Sequence, residues 1–106
     1  MPKYMIIANY TADGVKGVLA KGGSARVAAV EQSVAQAGGT LESFYFGFGD
    51  EDAYVIVDLP DNATAANFAL QVAASGMATA RTVVLLTPEE IDRAARAPST
   101  YVPPGS

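Results

Sequence analysis

The chain opens on an apolar segment that alternates with a period of two. In YMIIANY, residues 4–10, Tyr4 and Ile6 share one face of the segment, while Met5 and Ile7 share the other. A period of two is typical of a β-strand, because successive side chains point to opposite faces of the sheet. Both faces of this strand are apolar, so we expect both to be covered.

The next two segments carry helical signals. Residues 11–23 predict a short helix that is weakened by glycine and ends at Gly22 and Gly23. Ser24 is expected to cap the helix that follows. Apolar residues in that second helix recur at the spacing of a single helical stripe. They are Val27, Val30, Val34 and Ala37.

Two strands are predicted at residues 40–48 and 53–59, joined by the acidic turn at residues 49–52. A four-residue loop pairs Phe48 with Ala53. Directly opposed residues share a face of the sheet, so this register predicts one core face and one mixed face. The core face consists of Phe44, Phe46, Phe48, Val55, Val57 and Leu59.

The turn itself is predicted to depend on two of its four residues. Gly49 is expected at positive φ, which glycine adopts without steric cost, and Asp52 is expected to accept a backbone N–H and close the turn. Asp50 and Glu51 are expected to point to water. The alternative is that the three acids bind a hard cation, but they lack the ligand number and the spacing of a calcium loop.

The second half of the chain alternates between helix and strand. Residues 60–78 predict a helix that begins near Asp61 or Asn62 and breaks near Gly76, and its apolar residues surround most of its circumference. Residues 81–87 predict a fourth strand.

A capping box at Thr87 and Glu90 predicts a terminal helix that runs to about Arg96. We interpret residues 1–97 as one domain and the Pro-rich residues 98–106 as a flexible tail.

The order β-α-β-β-α-β plus a terminal helix predicts an α+β fold, a ferredoxin-like antiparallel sheet with helices on one face. The other face would be polar in a monomer, yet the strands carry apolar residues on both sides. A second copy of the same sheet would cover that face, since homodimers are the commonest oligomers. We therefore expect a homodimer or a higher oligomer.

Three segments carry a resemblance to a known family: PKYMIIANYTADGVKGVLAKGGSAR, GGTLESFYFGFGDEDAYVIVDLPDN and VVLLTPEEID. In their order and spacing, over about residues 2–95, they resemble the GYD-domain family of small bacterial and archaeal proteins. The resemblance implies a fold of the dimeric α+β-barrel type and no assigned activity. The Gly-x-Tyr-Asp-like turn of the family falls on residues 49–52, where Gly49 and Asp52 match and Glu51 replaces the tyrosine.

The amino-acid composition excludes several kinds of catalytic and metal-binding site. The 106 residues include no Cys and no His, which excludes thiolate and imidazole catalysis and the commonest metal ligands. The net charge is −4 and the basic residues are scattered, so we expect no nucleic-acid partner. No apolar run reaches membrane-spanning length and the N-terminus lacks a secretory signal, which predicts a cytoplasmic protein with no membrane partner. We expect no cofactor and no metal.

Polar groups on the apolar strands are the candidates for a ligand site. They are Asn9, Tyr10, Tyr45, Tyr54 and Arg81. A few polar groups among aromatic side chains can orient a small apolar or aromatic ligand, and Arg81 could bind an anionic group. The alternative is that these groups hydrogen-bond within the core or a dimer interface.

Two further charged groups have weaker signals. Glu42 and Asp58 lie near strand ends, where burial could raise the pKa of a carboxyl and solvation is the simpler outcome. A set of three basic residues flanks the glycines before the second helix, where an anion could bind. They are Lys16, Lys21 and Arg26.

Three functions are compatible with these patterns. The first is an oligomeric small-molecule-binding or accessory module. The second is a cofactor-independent isomerase or oxygenase-like enzyme that acts on a small organic acid or aromatic, which requires an enclosed carboxylate with a shifted pKa. The third is a self-assembling structural subunit, for which the alanine-rich third helical segment is the signal.

Overall fold

Eight elements form the chain in the order βααββαβα, in a computed structural model that describes residues 1–105. The strands are β1 (Lys3–Tyr10), β2 (Thr40–Phe46), β3 (Ala53–Asp58) and β4 (Ala78–Leu85). The helices are α1 (Ala12–Lys21), α2 (Gly23–Gln36), α3 (Asn62–Ser75) and α4 (Pro88–Arg96). The strands form one antiparallel sheet in the order β2-β3-β1-β4, which confirms the predicted α+β architecture.

The helix boundaries follow their capping residues. The Asp61 side chain accepts the Thr64 N–H at the start of α3, and Gly76 ends that helix in the left-handed conformation. The predicted capping box of Thr87 and Glu90 is present at α4. The predicted cap at Ser24 is wrong, because Gly22, at φ +85°, ends α1 and also precedes the first residue of α2.

The two faces of the sheet have different surroundings. Helices α1, α2 and α3 pack on one of them, the helix face, which holds the residues Tyr4, Ile6, Ala8, Phe44, Ala53, Val55, Val57 and Ala80. In the core, Val34 of α2 and Ala65 of α3 pack against buried residues of this face. The opposite, open face holds Met5, Ile7, Asn9, Tyr45, Tyr54, Ile56, Arg81 and Val83.

The β2–β3 hairpin corrects the predicted register. Phe46, not Phe48, pairs with Ala53, the loop spans residues 47–52, and a bulge follows Leu41. A slip of two residues leaves the side chains from Ser43 to Phe46 on their predicted faces, but it moves the aromatic residues along the sheet. The bulge turns Leu41 to the helix face, where it packs against the core beside Val57. Phe44 packs partly against the core, whereas Phe46 is 43% exposed and Phe48 is fully exposed.

The fourth strand is also placed earlier than expected, at Ala78–Leu85 instead of residues 81–87. Three of its residues face the helices: Ala78, which is buried, and Ala80 and Thr82, which are exposed. The sequence signal was weak there because small and polar residues occupy the first half of the strand.

The C-terminal segment gives the molecule an elongated shape of 56 × 33 × 23 Å. The radius of gyration is 16.8 Å, while a compact chain of this length has about 13 Å. Helix α4 has no buried residue, and residues 98–105 contain neither helix nor strand. Exposed apolar side chains follow the last strand, at Leu86, Ile91, Tyr101 and Val102. Among residues 1–105, no helix has the length and apolarity needed to cross a membrane.

Candidate functional site

A cleft of about 870 Å³ opens between the helices and the sheet. Helix α2 packs over the edge strand β2, and α3 packs over the opposite edge strand β4. The central strands β1 and β3 therefore form a floor that the two long helices leave partly open, and α1 lies at one end of it. Clefts of about 300–1,000 Å³ are typical of small-molecule sites.

The cleft is open because small residues line it. Its floor holds Ala8, Ala53 and Ala80, which oppose one another across β3, β1 and β4. Its helical walls are equally small at Gly17, Ala25, Ala29 and Ala69. Two larger side chains that pack against the core, Phe44 and Phe68, also line it. The alanines and glycines of the floor and walls therefore leave space between the sheet and the helices.

Polar groups lie around this apolar floor. Tyr10, one of the predicted ligand-binding residues, lines the cleft together with Asn67 and Gln71 of α3. Within residues 1–105, none of these three side chains makes a hydrogen bond to another part of the chain. Lys21 and Arg26 also line the cleft, where α1 ends and α2 begins.

The other four predicted ligand residues lie on the open face, so the structure divides the predicted set between two surfaces. Asn9 and Arg81 both bind Glu51: the Asn9 amide donates to one carboxylate oxygen and the Arg81 guanidinium to the other, at 3.0 Å. The pKa of Glu51 is lowered, first by the hydrogen bond from Arg81 and then by that from Asn9. The alternative that these polar groups bond within the protein therefore holds for Asn9 and Arg81.

Tyr45 and Tyr54 oppose each other on the open face in neighbouring strands. Tyr45 is 71% exposed, and Tyr54 is half-buried. A side chain at Gly47 would meet the Tyr54 ring at 3.3 Å, so the ring lies beside Gly47, where no side chain competes for space.

The acidic loop is attached to β1 and does not form a solvated tip. The Asp52 carboxylate accepts the Tyr10 N–H at 2.8 Å, and the Asp52 N–H donates to the Ala8 carbonyl at 3.0 Å. The expectation that Glu51 points to water is wrong, because its side chain is only 19% exposed. Gly49 does not have positive φ, so that expectation is also wrong.

A second ion-pair cluster lies at the opposite end of the open face. Lys3 binds Asp58 at 3.0 Å and Glu42 at 3.2 Å. Both bonds raise the pKa of the lysine, and the bond to Asp58 has the larger effect. The two carboxylates that sequence reasoning considered as acid or base are thus paired with a cation. Among residues 1–105, no group of three or more His, Cys, Asp or Glu side chains is placed to hold a metal ion.

Most of the chain matches the sequence model of a protein family. The family model of the GYD domain matches residues 4–95. The chain belongs to the GYD domain family. No curated protein and no solved structure matches this GYD domain. In the turn of this chain, Glu51 joins β1 to β4 through Asn9 and Arg81.

Sequence reasoning missed the cleft of this GYD domain. The signal was present as one alanine each in β1, β3 and β4 at the same level of the sheet and as the alanines of α2, but no local pattern distinguishes small residues that leave a space from small residues that pack closely. Only the observed separation of α2 and α3 shows that they leave a space. Glu51 was missed because its partners lie 42 and 30 residues away along the chain.

Proposed function

We propose that this GYD domain is a binding module for a small apolar or aromatic molecule, which it holds in the cleft between the sheet and α2 and α3. The cleft itself carries the proposal. Its volume of about 870 Å³ exceeds the voids of a packed core, and its floor is apolar, with the uncommitted polar side chains of Tyr10, Asn67 and Gln71 beside it. Binding sites for small molecules have this composition.

We further propose that the module is a homodimer formed through the open face. The neighbouring side chains of Met5, Ile56 and Val83 give this face an apolar centre, and the ion pairs of Lys3 and Glu51 flank it. An apolar centre with a polar rim is typical of protein interfaces. The elongated C-terminal segment, with Leu86 and Ile91 exposed, supplies further apolar surface for a second copy. A self-assembling subunit would instead give a larger solution mass.

An enzymatic role receives less support. A carboxyl group that transfers protons near neutral pH has a raised pKa. Among residues 1–105, the carboxyl groups with a shifted pKa are Glu51, Asp61 and Glu90, and in each the shift is downward because hydrogen bonds favour the charged form. None of the three lines the cleft.

Titration with N-phenyl-1-naphthylamine tests the binding proposal. This neutral aromatic amine fluoresces when it leaves water. We expect saturable binding to the parent protein and a loss of at least tenfold in affinity for Ala80→Phe, which fills the cleft from β4. Thr79→Phe is the matched control, because Thr79 lies next to Ala80 and points to the open face. Equal affinities for the parent and for Ala80→Phe, with both proteins folded, would contradict the proposal.

A further inference from the structure

The basic groups of the cleft indicate a charge on its ligand. Lys21 and Arg26 are exposed side chains that line the cleft at the junction of α1 and α2. Within residues 1–105, neither makes an ion pair with the protein. Lys3 and Arg81 are different, because acids on the open face already neutralise them.

This distribution is notable in a protein of net charge −4. The chain has seven basic residues, two of which are paired on the open face and two of which, Arg93 and Arg96, belong to α4. The remaining three lie on α1 and α2, and two of these line the cleft. Asp13 is the single acid among the residues around the cleft, so the basic groups there exceed the acidic ones.

We propose that the ligand is an organic acid, with an apolar body on the alanine floor and a carboxylate between Lys21 and Arg26. This inference rests on the proposed binding function and adds the chemical class of the ligand. The body would contact Ala8, Ala53 and Ala80, which offer no hydrogen-bonding side chain. The carboxylate would remain near solvent, where Lys21 and Arg26 can bind it without the large cost of burying a charge.

Competition against N-phenyl-1-naphthylamine tests the charge directly. The competitors are decanoate and 1-decanol, which share the length of their carbon chain and differ in the carboxylate. We expect decanoate to displace the reporter at a concentration roughly five- to tenfold lower than decanol, as two partly exposed ion pairs would give. The preference for decanoate should fall in 0.5 M NaCl, because salt screens the attraction between exposed charges. The Debye length, over which such charges interact, is only about 3 Å at 1 M salt.

The variant Lys21→Ala/Arg26→Ala should lose this preference and bind decanol as the parent does. Lys16→Ala is the control, since Lys16 lies on α1 but does not line the cleft; it should keep the preference. Equal displacement by the two competitors, or a preference retained in the double variant, would overturn the organic-acid proposal and leave the cleft proposal standing. Failure of the reporter itself to bind would overturn both.

Discussion

Asp52 joins the hairpin loop to the first strand through both its side chain and its backbone. Its carboxylate accepts the Tyr10 N–H, and its own N–H donates to Ala8. Asp52→Ala would leave the Tyr10 N–H without its partner, and an unsatisfied backbone donor costs about 1–3 kcal/mol. Urea unfolding should show a loss of that size.

Asp50→Ala is the control for that measurement. Asp50 lies in the same loop and is exposed, so we expect a change within about 0.5 kcal/mol, as is usual for surface residues. Equal stabilities of the two variants would mean that the bond from Tyr10 to Asp52 does not stabilise the loop.

Glu51 should make stability depend on acid pH. Its pKa in the folded protein is lowered by Arg81 and Asn9. A group with a lowered folded pKa contributes stability above its unfolded pKa, and this contribution disappears as the pH falls through the folded value. The melting temperature of Glu51→Gln should therefore lie below that of the parent at pH 7, and the difference should shrink in acid below the ordinary pKa of a glutamate.

The parent and the Glu51→Gln variant share two other carboxyl groups with a lowered pKa, Asp61 and Glu90. The difference between their melting temperatures therefore reports on Glu51. A difference in melting temperature that stays constant from pH 7 into the acid range would show that the charge of Glu51 is not responsible.

At the scale of elements, α1 is held close to the start of β4. The Thr11 N–H donates to the Met77 carbonyl at 2.9 Å, and a Cβ at Gly14 would lie 2.0 Å from the same oxygen. Gly14→Ala must therefore displace backbone, and we expect a loss of about 1–3 kcal/mol, the usual range for overpacking.

Gly17→Ala, one turn along the same helix, is the matched control. A Cβ at Gly17 would meet nothing within 4 Å, and alanine favours a helix over glycine by up to about 1 kcal/mol. We expect the Gly17 variant to be as stable as the parent or more stable. Denaturation midpoints that move down together in both variants would contradict the close approach of α1 to β4.

The elements themselves were largely predictable, because local signals determine them. The capping residues Asp61 and Thr87 and the terminator Gly76 define helix ends through bonds and dihedral angles within a few residues. The hairpin register was not predictable in the same way. A loop of six residues and one of four leave the same alternation of faces, and the bonds that decide between them run from Asp52 to β1, more than 40 residues away.

The candidate site was predictable only in part. Tyr10 lines the cleft as a candidate ligand-binding residue, but Asn9 and Arg81 are bonded to Glu51 on the other side of the sheet. Side chains at even and odd positions of β1 point to opposite faces, so a ligand inside one cleft could not contact Asn9 and Tyr10 together. The free volume depends on how far apart α2 and α3 lie, which no local pattern encodes.

For the whole molecule, the open face should be the dimer interface. Val83 is on that face and 38% exposed, while its neighbour Val84 points to the helix face and is 56% exposed. Val83→Arg would place an unpaired charge in an apolar interface, so sedimentation equilibrium at micromolar concentration should give the mass of one chain. Val84→Arg should remain dimeric. A parent protein that sediments as a monomer, or a Val83 variant that remains dimeric, would contradict this interface.

Methyl NMR of the 10.9-kDa chain tests most directly whether a small molecule occupies the cleft, as we claim. With N-phenyl-1-naphthylamine added, we predict intermolecular NOEs from the aromatic protons to the methyl groups of Ala8, Ala53 and Ala80, and unchanged shifts for Ile7 and Val83. NOEs to Ile7 and Val83 instead, or none to the three alanines, would place the ligand elsewhere and contradict the claim.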